Sequence, residues 1–168
     1  MRSNQKPDRD EIAVVELRSI LTETRVGELV LTTRPALEPT DNISVAAAEM
    51  RNTSHGSVVI CEQGNLVGIF TERDLLRVID GGQSLETKLS EVMTANPQTV
   101  TVDSSLFDAT KSMHTGGYRR LPVIDSGGAP VGIVDVKTIT HFLVEYFPEA
   151  IYNQAAHSQL IAREREGA

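Results

Sequence analysis

Aromatic residues make up only 4% of this 168-residue chain, and tryptophan is absent. A core must therefore be assembled from Val, Ile, Leu and Ala. Cys61 is the single cysteine, which excludes an intramolecular disulfide and any multi-cysteine metal site. It stands in the apolar run Val58-Val59-Ile60-Cys61, which reads as a buried strand carrying a small hydrophobe rather than a reactive thiol. Basic charge is also in deficit. A formal net charge of −7 argues against general binding to nucleic acid or an anionic membrane, since both reward a basic surface. No apolar run approaches the roughly 20 residues that span a bilayer. The polar start, Met1 to Asp8, lacks the apolar stretch of a signal peptide, so a cytoplasmic location is expected. Catalytic signatures are missing too. His55, His114, His141 and His157 are scattered without ligand spacing, and no Ser-His-Asp order or Walker-type glycine loop occurs. Neither an enzyme nor a metal site is expected.

What the chain does contain is a repeat. Its length suits one well-filled core, or two small modules sharing an interface, and 40% hydrophobic with 23% charged residues is ordinary globular composition. An offset of 63 pairs Met50 with Met113, Ala46 with Ala109, Ile43 with Leu106, Glu28 with Glu91 and Ile60 with Val123. After the turn the offset becomes 64, pairing Gly68 with Gly132 and Ile69 with Ile133. One extra residue in the second turn accounts for the change. This is a duplication.

Each copy reads as the same β-α-β-β-α series, an α/β (α+β) unit with a small mixed sheet. A short helical turn (Val26–Val30, Leu89–Met93) precedes an extended stretch with proline (Arg34–Pro39, Pro97–Val102). A helix follows, capped by Asp41 or Asp103 and stopped near Gly56 or Gly116-Gly117. Its apolar positions keep helical spacing: Ile43, Ala46, Ala47 and Met50, then Leu106, Ala109 and Met113. Next comes a hairpin, Ser57–Cys61 with Leu66–Phe70, and Leu121–Ile124 with Val131–Val134. A last helix runs from Thr71 to Asp80 or from Asp135 to Phe147. A unit of about 60 residues buries too little surface alone, so the copies should share a core. Expected divisions are an N-terminal helical extension over 1–22, motifs over 23–82 and 83–148, and a tail over 149–168. Ile12, Val15 and Ile20 form an apolar stripe in the extension, and Arg163-Glu164-Arg165-Glu166 reads as solvated tail.

The sharpest local signal is Gly68-Ile69-Phe70-Thr71-Glu72-Arg73-Asp74. A strand ends, glycine permits close backbone approach, and Thr71 opens a helix whose first N–H groups lack helical partners and favour an anion. Asp74 falls on the same side as Thr71, and a carboxylate can accept hydrogen bonds from the vicinal hydroxyls of a ribose. Thr-x-x-Asp is equally close to a capping box, in which nothing binds. Caps outnumber nucleotide sites, so spacing alone favours the cap. The second copy tips the balance. It reads Gly132-Ile133-Val134-Asp135-Val136-Lys137-Thr138, where capping survives and the Thr/Asp pair does not. Instead it offers Arg119, Arg120 and Lys137, a local excess of positive charge in an acidic chain. Surface salt bridges are one reading of these; a phosphate clamp beside a helix start is the other.

The stretch from Gly68 to Asp74, with Leu121-Pro122-Val123-Ile124-Asp125 and Ser105-Leu106-Phe107-Asp108-Ala109, resembles the landmark motifs of CBS (cystathionine β-synthase-type) domains. The resemblance covers Val26 to Phe147 and is closest to stand-alone bacterial CBS pairs and the γ regulatory subunits of AMP-activated protein kinase. It implies tandem CBS motifs packed with pseudo-two-fold symmetry, a Bateman module with two clefts that usually forms a homodimer. It implies a regulatory, energy-sensing role with an adenine nucleotide (AMP, ADP or ATP) as ligand and an unidentified regulated protein as partner. S-adenosylmethionine, NAD or a scaffold without ligand are the alternatives. By this resemblance Asp74 holds the ribose and Thr71 approaches phosphate or sugar. Arg119, Arg120 and Lys137 face the phosphates across the cleft, and adenine lies against Asn96-Pro97-Gln98 and the backbone of Gly68, Ile69 and Phe70. Asp135 and Thr138 make the other cleft degenerate.

Overall fold

A computed structural model of the chain describes residues 17–32 and 36–146. The expected tail, most of the N-terminal extension, His157 and Arg34 lie outside the described residues. The element order is α1 (helical over 17–23), a 3-10 turn Val26–Glu28, α2 Ile43–Thr53, β1 Ser57–Glu62, β2 Asn65–Thr71 and α3 Glu72–Asp80. Then follow α4 Leu89–Val92, β3 Thr94–Ala95, β4 Val100–Thr101, α5 Leu106–Gly116, β5 Arg120–Ile124, β6 Pro130–Asp135 and α6 Val136–Tyr146. Helices α2 and α5 start and stop 63 residues apart, as the repeat requires.

Two caps differ from expectation. Helix α2 begins after Asn42, because the Asp41 carboxylate accepts from the Glu38 N–H at 2.7 Å and closes the preceding turn. Helix α5 is capped by Ser105, whose hydroxyl accepts from the Asp108 N–H at 3.1 Å, and not by Asp103. At the other end of α2 the left-handed residue is Ser54 (φ 54°), so the helix stops before Gly56, which is buried at the mouth of β1. Gly117 (φ 66°) ends α5 as expected, because glycine enters the left-handed region without a Cβ penalty. In the β1–β2 hairpin Gln63 and Gly64 both have positive φ, the tight-turn geometry whose twist suits antiparallel strands.

The two sheets have orders β1-β2-β3 and β4-β5-β6. Within each, the hairpin is antiparallel: Val59 faces Ile69, and Pro122 faces Ile133. Each also has a parallel neighbour, by the Leu37–Ile60 bridge in one and the Val100–Val123 pair in the other. The outer antiparallel position, however, is filled from the opposite copy. Thr94 of β3 pairs with Ile69, and Thr32 bridges to Ile133.

The same exchange governs the cores. Instead of one shared core there are two. Val26, Leu29 and the partly buried Leu31 from the start of the first copy pack with Leu106, Met113, Val123 and Ile139. Leu89, Val92 and Met93 from the start of the second copy pack with Ile43, Met50, Ile60 and Phe70. Backbone hydrogen bonds fix the exchange symmetrically. Val26 N–H donates to Ser104 O, Gly27 to Val102 and Leu106 to Thr24, while Leu89 donates to Asp41, Ser90 to Pro39 and Ile43 to Thr87. Every one of these pairs maps onto its counterpart by 63 residues. Burying Leu89, Leu106 and Val26 completely stabilises the fold by roughly 1.5–3 kcal/mol per side chain. Neither copy therefore closes its own core.

Candidate functional site

Among the described residues, two cavities lie where the last helix of one copy meets residues of the other. The first has a volume of about 320 Å³, within the range of small-molecule sites. Its floor is the junction of β2 and α3. Strand alternation divides the motif: Ile69 lines the cavity, while Phe70 is wholly buried in the core on the other side of the sheet. Gly68 does not reach the cavity either. A Cβ there would collide with the Met93 side chain, so this glycine admits Met93 and β3 rather than a ligand. Of the motif residues expected at the ligand, Gly68 and Phe70 serve packing.

Thr71 and Asp74 do line the cavity, and they also form a full capping box. Thr71 Oγ1 accepts from Asp74 N–H at 3.4 Å. Asp74 Oδ2 accepts from the Thr71 N–H at 3.0 Å and from the Thr71 hydroxyl at 2.6 Å. The capping reading holds, and the same two residues also line the cavity. Oδ2 is occupied by the cap, and Oδ1 faces Arg77 Nη1 at 3.3 Å. The first-turn N–H groups are less open than the sequence implies, since Glu72 N–H donates to Gly56 O at 3.1 Å. The Asp74 residue is 8% exposed. What the cavity offers from Asp74 is one carboxylate oxygen.

The opposite wall comes from the second copy. Arg119, Arg120, Leu121 and Pro122 line it, with Tyr118 and Gly117 at the rim. Arg120 is half-buried and its Nη1 donates to Gly56 O at 3.3 Å. Asn96, Pro97 and Gln98 form a third side. Asn96 has a left-handed backbone (φ 48°), and its N–H donates to Val67 O at 3.0 Å. The chain thus turns at the cavity edge on its way from one sheet to the other. Four arginines, Arg73, Arg77, Arg119 and Arg120, line this cavity, against the two acidic residues Glu72 and Asp74. Arg77 is not among the residues expected from sequence. Its signal is its spacing, three residues beyond Asp74 on one helix face.

Lys137 is placed elsewhere. It lines the second cavity, of about 470 Å³, with Asp135, Thr138, His55 and His141. The reason is the symmetry itself: Lys137 is the repeat equivalent of Arg73, so it follows its own helix start into the other cavity. The expected trio of cations around one ligand is therefore divided. Here the cap polarity is reversed, with Asp135 Oδ1 accepting from Thr138 N–H at 2.7 Å and from the Thr138 hydroxyl at 3.0 Å. Glu28, Asp135 and Glu145 outnumber the single lysine, so this cavity has the opposite charge balance. Among the described residues no cluster of His, Cys, Asp and Glu suits a metal ion, and no helix is long and apolar enough to cross a membrane.

A duplicated β-α-β-β-α unit with exchanged leading segments and two inter-copy cavities defines a paired α/β module. The CBS domain family model matches residues 26–81 and again 89–145, and the chain belongs to the CBS-domain family. A CBS domain-containing protein of Arabidopsis thaliana is 41% identical over 105 residues, which are 61% of this chain and 19% of the plant protein. The chain spans about a fifth of that relative's length. Among solved structures, a CBS domain protein from Pyrobaculum aerophilum complexed with AMP shares 23% identity and a TM-score of 0.62, covering 68% of this chain and 89% of that one. A CBS domain pair in complex with 5′-methylthioadenosine and S-adenosyl-L-methionine shares 24% identity and a TM-score of 0.65, covering 73% and 98%. At these identities the likeness carries the fold.

Proposed function

We propose that the chain is a non-catalytic regulatory module that binds an adenine nucleotide (AMP, ADP or ATP) in the first cavity. The observation that carries this reading is the opposition of the buried Asp74 carboxylate, at a helix start, to Arg119 and Arg120 from the other copy. A nucleotide presents hydroxyls and phosphates, and this cavity offers a carboxylate for the first and arginines for the second. Asn96, Pro97 and Gln98 supply a surface for the base. The AMP complex of the Pyrobaculum neighbour supports the ligand class.

S-adenosylmethionine is the second reading, supported by the other neighbour's ligands. Four guanidinium groups disfavour a sulfonium cation at this cavity, and for that reason the nucleotide is preferred. Binding between the copies would stabilise one arrangement of the pair, which a partner protein then reads. Homodimerisation and a cytoplasmic location belong to the same proposal, with 23–82 and 83–148 as the two motifs.

A thermal-shift panel with AMP, ADP, ATP, NAD and S-adenosylmethionine tests the reading. Ligand at 100 times its dissociation constant adds about 2.7 kcal/mol of stability. Calorimetry should then give one nucleotide per chain. The absence of any shift with the phosphate-bearing compounds would overturn the proposal, and two equal sites would overturn the degenerate second cavity.

A further inference from the structure

Resting on the nucleotide reading, we infer that Arg77 is a specificity residue that makes the first cavity prefer a phosphate-bearing nucleoside to the bare nucleoside. The argument begins with the acceptors of Asp74. Its Oδ2 already accepts two hydrogen bonds from Thr71, which leaves Oδ1 for a ribose. That oxygen is held by Arg77 Nη1 at 3.3 Å, a long contact for a charge-assisted bond. Two vicinal ribose hydroxyls need both lone pairs of Oδ1, one of which Arg77 holds, so a ribose donating both hydrogen bonds to Asp74 competes with Arg77.

The exchange has a defined direction. Side chains on a helix lean toward its N-terminus, so Arg77, about one and a half turns into α3, reaches back over Asp74 toward the helix start. Its side chain is 71% exposed while that of Asp74 is 10% exposed, so Arg77 is the partner free to move. Displaced from Oδ1, the guanidinium stays in the same cavity as Arg119 and Arg120 and can meet a phosphate there. A nucleotide recovers the lost ion pair through its own phosphate. A bare nucleoside breaks it and returns nothing. The penalty on the nucleoside comes from a residue that touches no part of it.

Calorimetry with AMP and adenosine on the wild-type chain, Arg77→Met and Arg77→Gln tests this. Arg77→Met keeps the apolar stem, and both variants alter an exposed position, so circular dichroism should report an unchanged fold. In each variant AMP affinity should stay within about threefold of wild type, because the phosphate contact that is lost and the ion pair that no longer has to be broken offset each other. Adenosine should bind severalfold to about tenfold tighter, so the ratio of the two dissociation constants collapses. If both ligands weaken by the same factor, Arg77 is structural and the inference fails. If neither affinity changes, it also fails. Wild-type protein that binds neither ligand overturns the nucleotide reading itself, and this inference with it.

Discussion

The Arg120 guanidinium donates to the Gly56 carbonyl at 3.3 Å, joining residues 64 positions apart in the two copies. The same carbonyl accepts the Glu72 N–H at 3.1 Å, so one backbone oxygen of the first copy ties the start of α3 to the arginine wall.

Because Gly56 O keeps the Glu72 donor, losing Arg120 leaves no orphaned acceptor. Arg120→Met should therefore cost no more than about 1 kcal/mol in urea unfolding. Nucleotide affinity should fall far more, about tenfold or beyond. A large stability loss with unchanged affinity would show the arginine to be a structural tie alone.

Two side-chain caps allow capping to be separated from ligand binding. Ser105 caps α5 as Thr71 caps α3, its Oγ accepting from the Asp108 N–H at 3.1 Å and donating to Asp108 Oδ2 at 2.7 Å, away from both cavities. Ser105→Ala and Asp74→Ala should each lower stability by about 1 kcal/mol. Only Asp74→Ala should abolish the shift produced by AMP. Loss of the shift in both would mean that helix order, and not the carboxylate, governs binding.

The equivalent glycines should respond unequally. At Gly132 a Cβ would lie 2.8 Å from Leu31 Cβ and 3.2 Å from Thr32 O, both fixed by the backbone of the bridging segment. At Gly68 the obstacle is the flexible Met93 side chain, which can repack. Gly132→Ala should cost about 1–3 kcal/mol and Gly68→Ala distinctly less, as read by denaturant midpoints. The reverse order would contradict the exchanged packing.

Burial pushes the Cys61 thiol up from its ordinary value, and the residue is 8% exposed. The native protein should react with a disulfide reagent at pH 8 on the order of a hundredfold more slowly than the urea-unfolded chain. Rapid full labelling of folded protein would place Cys61 at the surface.

Much of this architecture was legible in the sequence because duplication marks it twice. The offset of 63 located α2 and α5 by their apolar faces, and the hairpins followed from β-branched runs around Gly64 and Gly127-Gly128. The exchange was not legible. Strand β3 is two residues long, too short for any period, and its partner Ile69 is fixed by tertiary packing alone. The position of Lys137 was lost for the same reason: sequence shows which residues are equivalent, but not across which cavity each one faces. Phe70 and Ile69 were separable in principle, since adjacent strand residues point to opposite faces. Arg77 reads in sequence as one more solvent-facing helix cation. Only its approach to Asp74 distinguishes it.

The reciprocal packing of Val26 and Leu89 into each other's half also speaks to ancestry. A single-motif precursor would have carried one leading turn and an unfilled core, and could have been satisfied only by a second molecule offering the same. The fusion that produced this chain then converted a bimolecular handshake into a unimolecular one, removing its dependence on concentration. It also freed the two halves to diverge, so that one cavity could gather arginines and the other carboxylates.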